Sequence, residues 1–196
     1  MTDKRFDNRS KATFKKDIKF GTAMETYFFD KWVQSCDDRD DISIYNCRDN
    51  GVGNDGEYVE TGTNTSGADY MVDYFDSEYG FTNLPLEVKW VPTAGKLSLK
   101  INDLRAYQKE NAGILFIYNS VNCGTNLRKP KDYDYNKYID LIESKSKQFR
   151  WGFMPPENIS KLINSGDIVN IPYMGNKKGI IVKQKDFHKW FKEEQF

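Results

Sequence analysis

Leu84-Pro85-Leu86-Glu87-Val88-Lys89-Trp90 decides how this chain is read, together with Gly67-Ala68-Asp69, which lies eighteen residues before Glu87. In an extended strand successive side chains point to opposite faces, so Glu87 and Lys89 share one face while Leu86 and Val88 share the other. The stretch therefore holds a carboxylate and an ammonium side by side on an apolar strand. Asp69-Tyr70-Met71-Val72-Asp73-Tyr74 is a second strand-like run, and the polar segment after it can turn the chain back. Antiparallel pairing of the two runs brings Asp69 toward Glu87. Two carboxylates and a lysine then converge, which is equipment for binding a divalent cation and attacking a phosphodiester.

In isolation a Glu-x-Lys pair is an exposed same-face ion pair worth about 0–1 kcal/mol. The order of elements around it gives it weight. Lys96-Leu97-Ser98-Leu99-Lys100 follows, then a helical pattern over 101–111, then Gly113 and the apolar strand Ile114-Leu115-Phe116-Ile117-Tyr118. Upstream, Thr22-Ala23-Met24-Glu25 fits an S/T-x-x-E capping box, and Met24, Tyr27, Phe28 and Trp32 recur at helical spacing. These patterns predict a helix from Thr22 to Cys36 and a short strand over 42–45.

Helix, hairpin, helix and strand in that order, with Asp69 and Glu87-Val88-Lys89 in place, resemble the PD-(D/E)xK nucleases, the restriction-endonuclease-like superfamily. The resemblance covers roughly residues 20 to 120 and departs from the full signature at Ala68, where a proline commonly precedes the first acid. It implies an α/β fold with a mixed central sheet flanked by helices, and the activity of a small phage or bacterial DNA endonuclease. Asp69, Glu87 and the Val88 carbonyl would hold Mg²⁺, with Mn²⁺ able to substitute, and Lys89 would act on the attacking water or the phosphate. An acid on the first helix often completes the metal shell in this superfamily, which makes Glu25 a fourth site residue. Glu25 equally suits the N3 position of the capping box, and both roles stay open here. Some members place a Gln or Lys on the helix after the hairpin, which nominates Gln108. The rival class is a non-catalytic nucleic-acid-binding or assembly protein built on the same scaffold, since fold does not fix function.

The rest of the chain fits that frame. A length of 196 residues suits one core with an elaboration: a basic arm over 1–20, a nuclease core over 21–125, and a C-terminal elaboration or small substrate-gripping subdomain over 126–196. Hydrophobic content is low at 38 %, but 15 % aromatic residues offset it. The formal net charge of zero conceals an asymmetry. Residues 1–20 carry seven Lys/Arg against three acids, residues 128–196 fourteen against nine, and residues 21–127 eight against seventeen. Basic flanks around an acidic middle suit phosphate contacts around a cation site. Lys11, Lys15, Lys16, Lys96 and Lys100 are the phosphate-contact candidates, DNA is the expected partner, and two strands to cut suggest a homodimer. Tyr133, Tyr135, Tyr138 and Trp151 interleave with lysines and arginine, a pattern that suits base stacking and core packing alike.

Cys36, Cys47 and Cys123 form neither a zinc pattern nor a disulfide framework, which fits a reducing cytoplasm, bacterial or that of a phage-infected host. No 18-residue apolar run and no secretory h-region is present, so no membrane association is expected. Gly51-Val52-Gly53-Asn54-Asp55-Gly56 matches G-x-G-x-x-G, but an extended segment follows it where a dinucleotide site needs a helix. Further on, the patterns predict short helices over 138–142 and 157–164, strands over 168–171 and 179–182, and a final helix from Phe187 to Glu194.

Overall fold

The computed structural model describes residues 11–37, 39–49, 67–77, 80–91, 96–119, 132–144, 149–171 and 177–195. The glycine-rich stretch 51–66 and the first ten residues lie outside that set. The fold is arranged about β3 (Gly80–Val91). Its first half pairs antiparallel with β2 (Tyr70–Asp76), Asp76 opposite Gly80 and Tyr70 opposite Leu86. Its second half pairs parallel with β5 (Gly113–Asn119), Leu86 opposite Gly113 and Val91 opposite Tyr118. Pro85 lies in the half that β5 does not reach, in keeping with the confinement of proline to strand edges.

β1 (Ile42–Asp49) extends the sheet beyond β2, while β6 (Phe149–Met154) and β9 (Lys192–Gln195) extend it beyond β5. The order β1-β2-β3-β5-β6-β9 makes a six-stranded mixed sheet, and β4 (Lys96–Lys100), β8 (Lys177–Lys183) and β7 (Ile168–Ile171) form a second, three-stranded one. Among the described residues four α-helices pack around the sheets: α1 (Lys11–Asp37), α2 (Ile101–Glu110), α3 (Tyr135–Glu143) and α4 (Pro156–Ser165). The large sheet buries both faces. On one, Leu84, Leu86, Val88, Leu115 and Ile117 meet α1 and α3, and on the other, Ile114, Phe116, Tyr118 and Met154 meet α2, α4 and the small sheet. This is an α/β protein with a mixed sheet flanked by helices. No helix among the described residues is long and apolar enough to cross a membrane.

Several elements differ from the sequence expectation. The first helix does not start at Thr22 but runs back to Lys11, so half of the expected basic arm is helical. Phe20, Met24, Phe28, Trp32 and Cys36 form one buried stripe at intervals of four, and Phe20 carries it upstream of Gly21. Thr22 is thus an exposed interior residue, and there is no capping box. The expected final helix is instead a 3₁₀ turn over Gln184–Lys189 followed by β9. Phe187 and Phe191 both enter the α2-side core, and the segment after them pairs with β6. Strand β6 has no counterpart in the sequence patterns. Gly152 interrupts it, and a Cβ there would come within 3.1 Å of the Phe191 Cβ, so the residue that hides the strand is also what lets the chain end pack on it.

Candidate active site

Past Leu86 strand β3 outlasts β2, and the described residues hold no further strand in its place. The edge N–H groups there are taken by carboxylates. The Val88 N–H donates to Asp69 Oδ2 at 2.8 Å, and the Trp90 N–H donates to the Glu25 carboxylate. A residue's N–H and C=O share a side of the strand, so the Val88 carbonyl lies along the same edge. The turn carrying Asp69 is fixed from below, because the buried Ala68 donates its N–H to Glu110 Oε2 of α2 at 3.1 Å.

Glu87 is 3 % exposed, the one charged side chain among the described buried residues. The Lys89 ammonium pairs with its Oε1 and the Tyr107 hydroxyl also hydrogen-bonds the carboxylate, while Oε2 is buried without a partner. Lys89 stays about a third exposed at 32 %. The cluster therefore has an open side.

Two glutamates, Glu25 and Glu87, face one lysine, Lys89. Burial lifts Glu25 to about 7, with Asp69 and Glu87 adding to it and Lys89 and the Trp90 N–H opposing. Burial likewise lifts Glu87 to about 7 against the pull of Lys89. For Lys89 burial works downward, but the Glu87, Glu25 and Asp69 charges more than reverse it, so the ammonium is held protonated well above its ordinary range. The Tyr107 phenol is pushed up, first by burial, and stays a neutral donor.

The donor set suits a hard cation. Asp69, Glu87, Glu25 and the Val88 carbonyl are all oxygen ligands, and Glu87 Oε2 is a buried acceptor lacking a donor. Among the described residues no three acids, imidazoles or thiolates stand as a ready-made cage. The positive charge that these carboxylates share in this geometry is that of Lys89.

Asp69, Glu87, Lys89 and Glu25 are thus brought together from β2's leading edge, β3 and α1. The other candidates are not. Gln108 turns away to donate to Ser160 Oγ of α4 at 2.9 Å, and Tyr107 is the residue that α2 delivers to the cluster. Lys100 pairs with Asp103 at 3.1 Å, and Lys96 stands at the far end of β4. Lys15 and Lys16 ride on α1, with Lys16 6.0 Å from the centre of the Tyr133 ring, while the side chain of Lys11 is outside the described set. Tyr138 is buried in the α1-side core and is not free to stack on bases, while Trp151, buried in the same core, keeps its indole against a cavity. Tyr107 and Glu110 were not anticipated. The i, i+3 stripe Ile101-Leu104-Tyr107 is the pattern that places a phenol against the sheet.

Compared with protein-family models, with curated proteins and with solved structures, the chain matches none. What bears on its function is the set of side chains along the β3 edge.

Proposed function

We propose that the chain is a divalent-metal-dependent DNA endonuclease of the PD-(D/E)xK type, with a restriction-endonuclease-like core. The observation that carries this reading is the pair of edge hydrogen bonds from Val88 and Trp90, which aim Asp69 and Glu25 along one strand edge beside Glu87 and Lys89. A divalent cation held by Asp69, Glu87, Glu25 and the Val88 carbonyl would polarise the scissile phosphate and lower the pKa of a bound water. The chain's own residues do the rest. Lys89, held protonated, orients the attacking water and offsets negative charge on the phosphate. Tyr107 and Lys89 hold the Glu87 carboxylate in one orientation, and Glu110 fixes the turn that presents Asp69. Basic side chains on α1, among them Lys15 and Lys16, would supply backbone phosphate contacts. A homodimer would give each DNA strand its own site.

Incubation of the protein with supercoiled plasmid, single strands and four-way junctions, each with Mg²⁺, tests the reading. Nicking or linearisation that stops in excess EDTA is the expected result. No cleavage of any of the three with Mg²⁺ or Mn²⁺ would leave a nuclease-like scaffold without the chemistry.

A further inference from the structure

The first half of β3 has β2 on one side and, among the described residues, no strand on the other, because β5 begins only at Gly113 opposite Leu86. On the far side of that gap β6 ends at Met154 and the chain passes through Pro155-Pro156 into α4. The notch between them is a cavity of about 360 Å³, within the range of small-molecule sites, roughly 300–1,000 Å³. Close-packed interiors leave few voids larger than a water molecule, so a notch of this size is not ordinary core. None of Glu25, Asp69, Glu87 and Lys89 lines it.

Its chemistry has two parts. The walls are flat and apolar: the indoles of Trp32 and Trp151, the Phe153 ring, and Leu84. Glycine at 113 is needed for this, because a Cβ there would stand 2.7 Å from the Phe153 ring. The mouth is polar, with the carboxylates of Asp76 and Glu157 against the single ammonium of Lys192. Aromatic walls suit a planar ring. A mouth with two carboxylates accepts N–H donors and disfavours a phosphate.

We propose that this notch is a binding site for an uncharged, amino-bearing planar heteroaromatic, the chemistry of a nucleobase such as adenine, presented as a free base or nucleoside or by an unpaired strand. The proposal does not rest on the nuclease reading, and its test needs no divalent cation.

The protein has four tryptophans, so the indole N–H signals of uniformly ¹⁵N-labelled full-length chain form a small, assignable set. Adenine, adenosine, AMP and a short oligo(dA) are titrated in without metal. Adenosine is expected to shift the Trp32 and Trp151 signals saturably, while that of Trp190, which packs on the opposite core, stays put. AMP should bind several-fold more weakly than adenosine, and Glu157→Gln should narrow that difference. Thr82→Phe, which places a ring in the notch, should abolish the shifts. If oligo(dA) shifts the two indoles and free adenosine does not, the base is strand-borne and the site stands. No saturable shift of Trp32 and Trp151 with any of the four probes would overturn the proposal. So would undiminished binding by a folded Thr82→Phe protein, or, should that variant not fold, an adenosine-to-AMP preference that Glu157→Gln leaves unchanged.

Discussion

Glu87 and Glu25 are acids held at about 7 by burial beside a protonated lysine, and this has a consequence for stability. In the unfolded chain a glutamate titrates near 4.5. Between those values the folded protein binds more protons than the unfolded one, so unfolding free energy falls as pH rises through the window. The metal-free protein should therefore melt at a lower temperature at pH 8 than at pH 5.5, and Glu87→Gln, which cannot ionise, should flatten that decline in thermal melts followed by circular dichroism. A steeper decline in the variant would contradict the assignment. Glu25 can be tested separately. Because Thr22 is interior to α1, Glu25 has no capping duty to lose, and Glu25→Gln should melt within a few degrees of wild type at pH 7. Its cleavage of plasmid should nevertheless fall roughly 10²-fold or more. Full activity in Glu25→Gln would reduce the site to Asp69, Glu87 and Lys89.

At the scale of elements, α1 is long enough to connect the site with the notch, because Glu25 and Trp32 lie two turns apart on it. Gly21 sits one turn before Glu25 in the same helix, and a Cβ there would meet nothing within 4 Å. Gly21→Ala should accordingly stabilise the protein by about 0.5–1 kcal/mol in urea unfolding without changing the site. A loss of stability would show that α1 is bent or crowded there. The elements that carry the site were legible because each has one clean period: alternation in β3, a 3.6-residue repeat in α2, an unbroken apolar run in β5. The start of α1 was not, because Lys11 to Lys19 is dominated by charge and only Phe20 links it to the buried stripe. β6 and β9 were not legible either, since Arg150, Gly152 and Glu193-Glu194 suit strands only once Phe187 and Phe191 have docked on the sheet. The acids and the lysine of the site were readable from spacing. Tyr107 was not singled out, because its role depends on which face of α2 meets Glu87.

The whole molecule is woven rather than divided. Residues 149–195 supply β6 and β9 to the large sheet and β7 and β8 to the small one, so β5 and β4 each depend on a partner from the chain's last third. A fragment ending at residue 125 should thus fail to fold, showing neither a cooperative melt nor dispersed NMR signals, although it retains Glu25, Asp69, Glu87 and Lys89. A folded fragment would mean that the site is supported by the first 125 residues alone. Under the proposed function these four residues form one metal-dependent hydrolytic site. Its most direct measurement is the rate of supercoiled plasmid nicking with Mg²⁺ by wild type, Glu87→Ala and Lys89→Ala at matched concentration, each checked for an unchanged circular dichroism spectrum. The expected result is cleavage by wild type that excess EDTA abolishes, with each variant slower by roughly 10²–10⁴-fold. Nicking by either variant at the wild-type rate, or wild-type nicking that persists in EDTA, would contradict it.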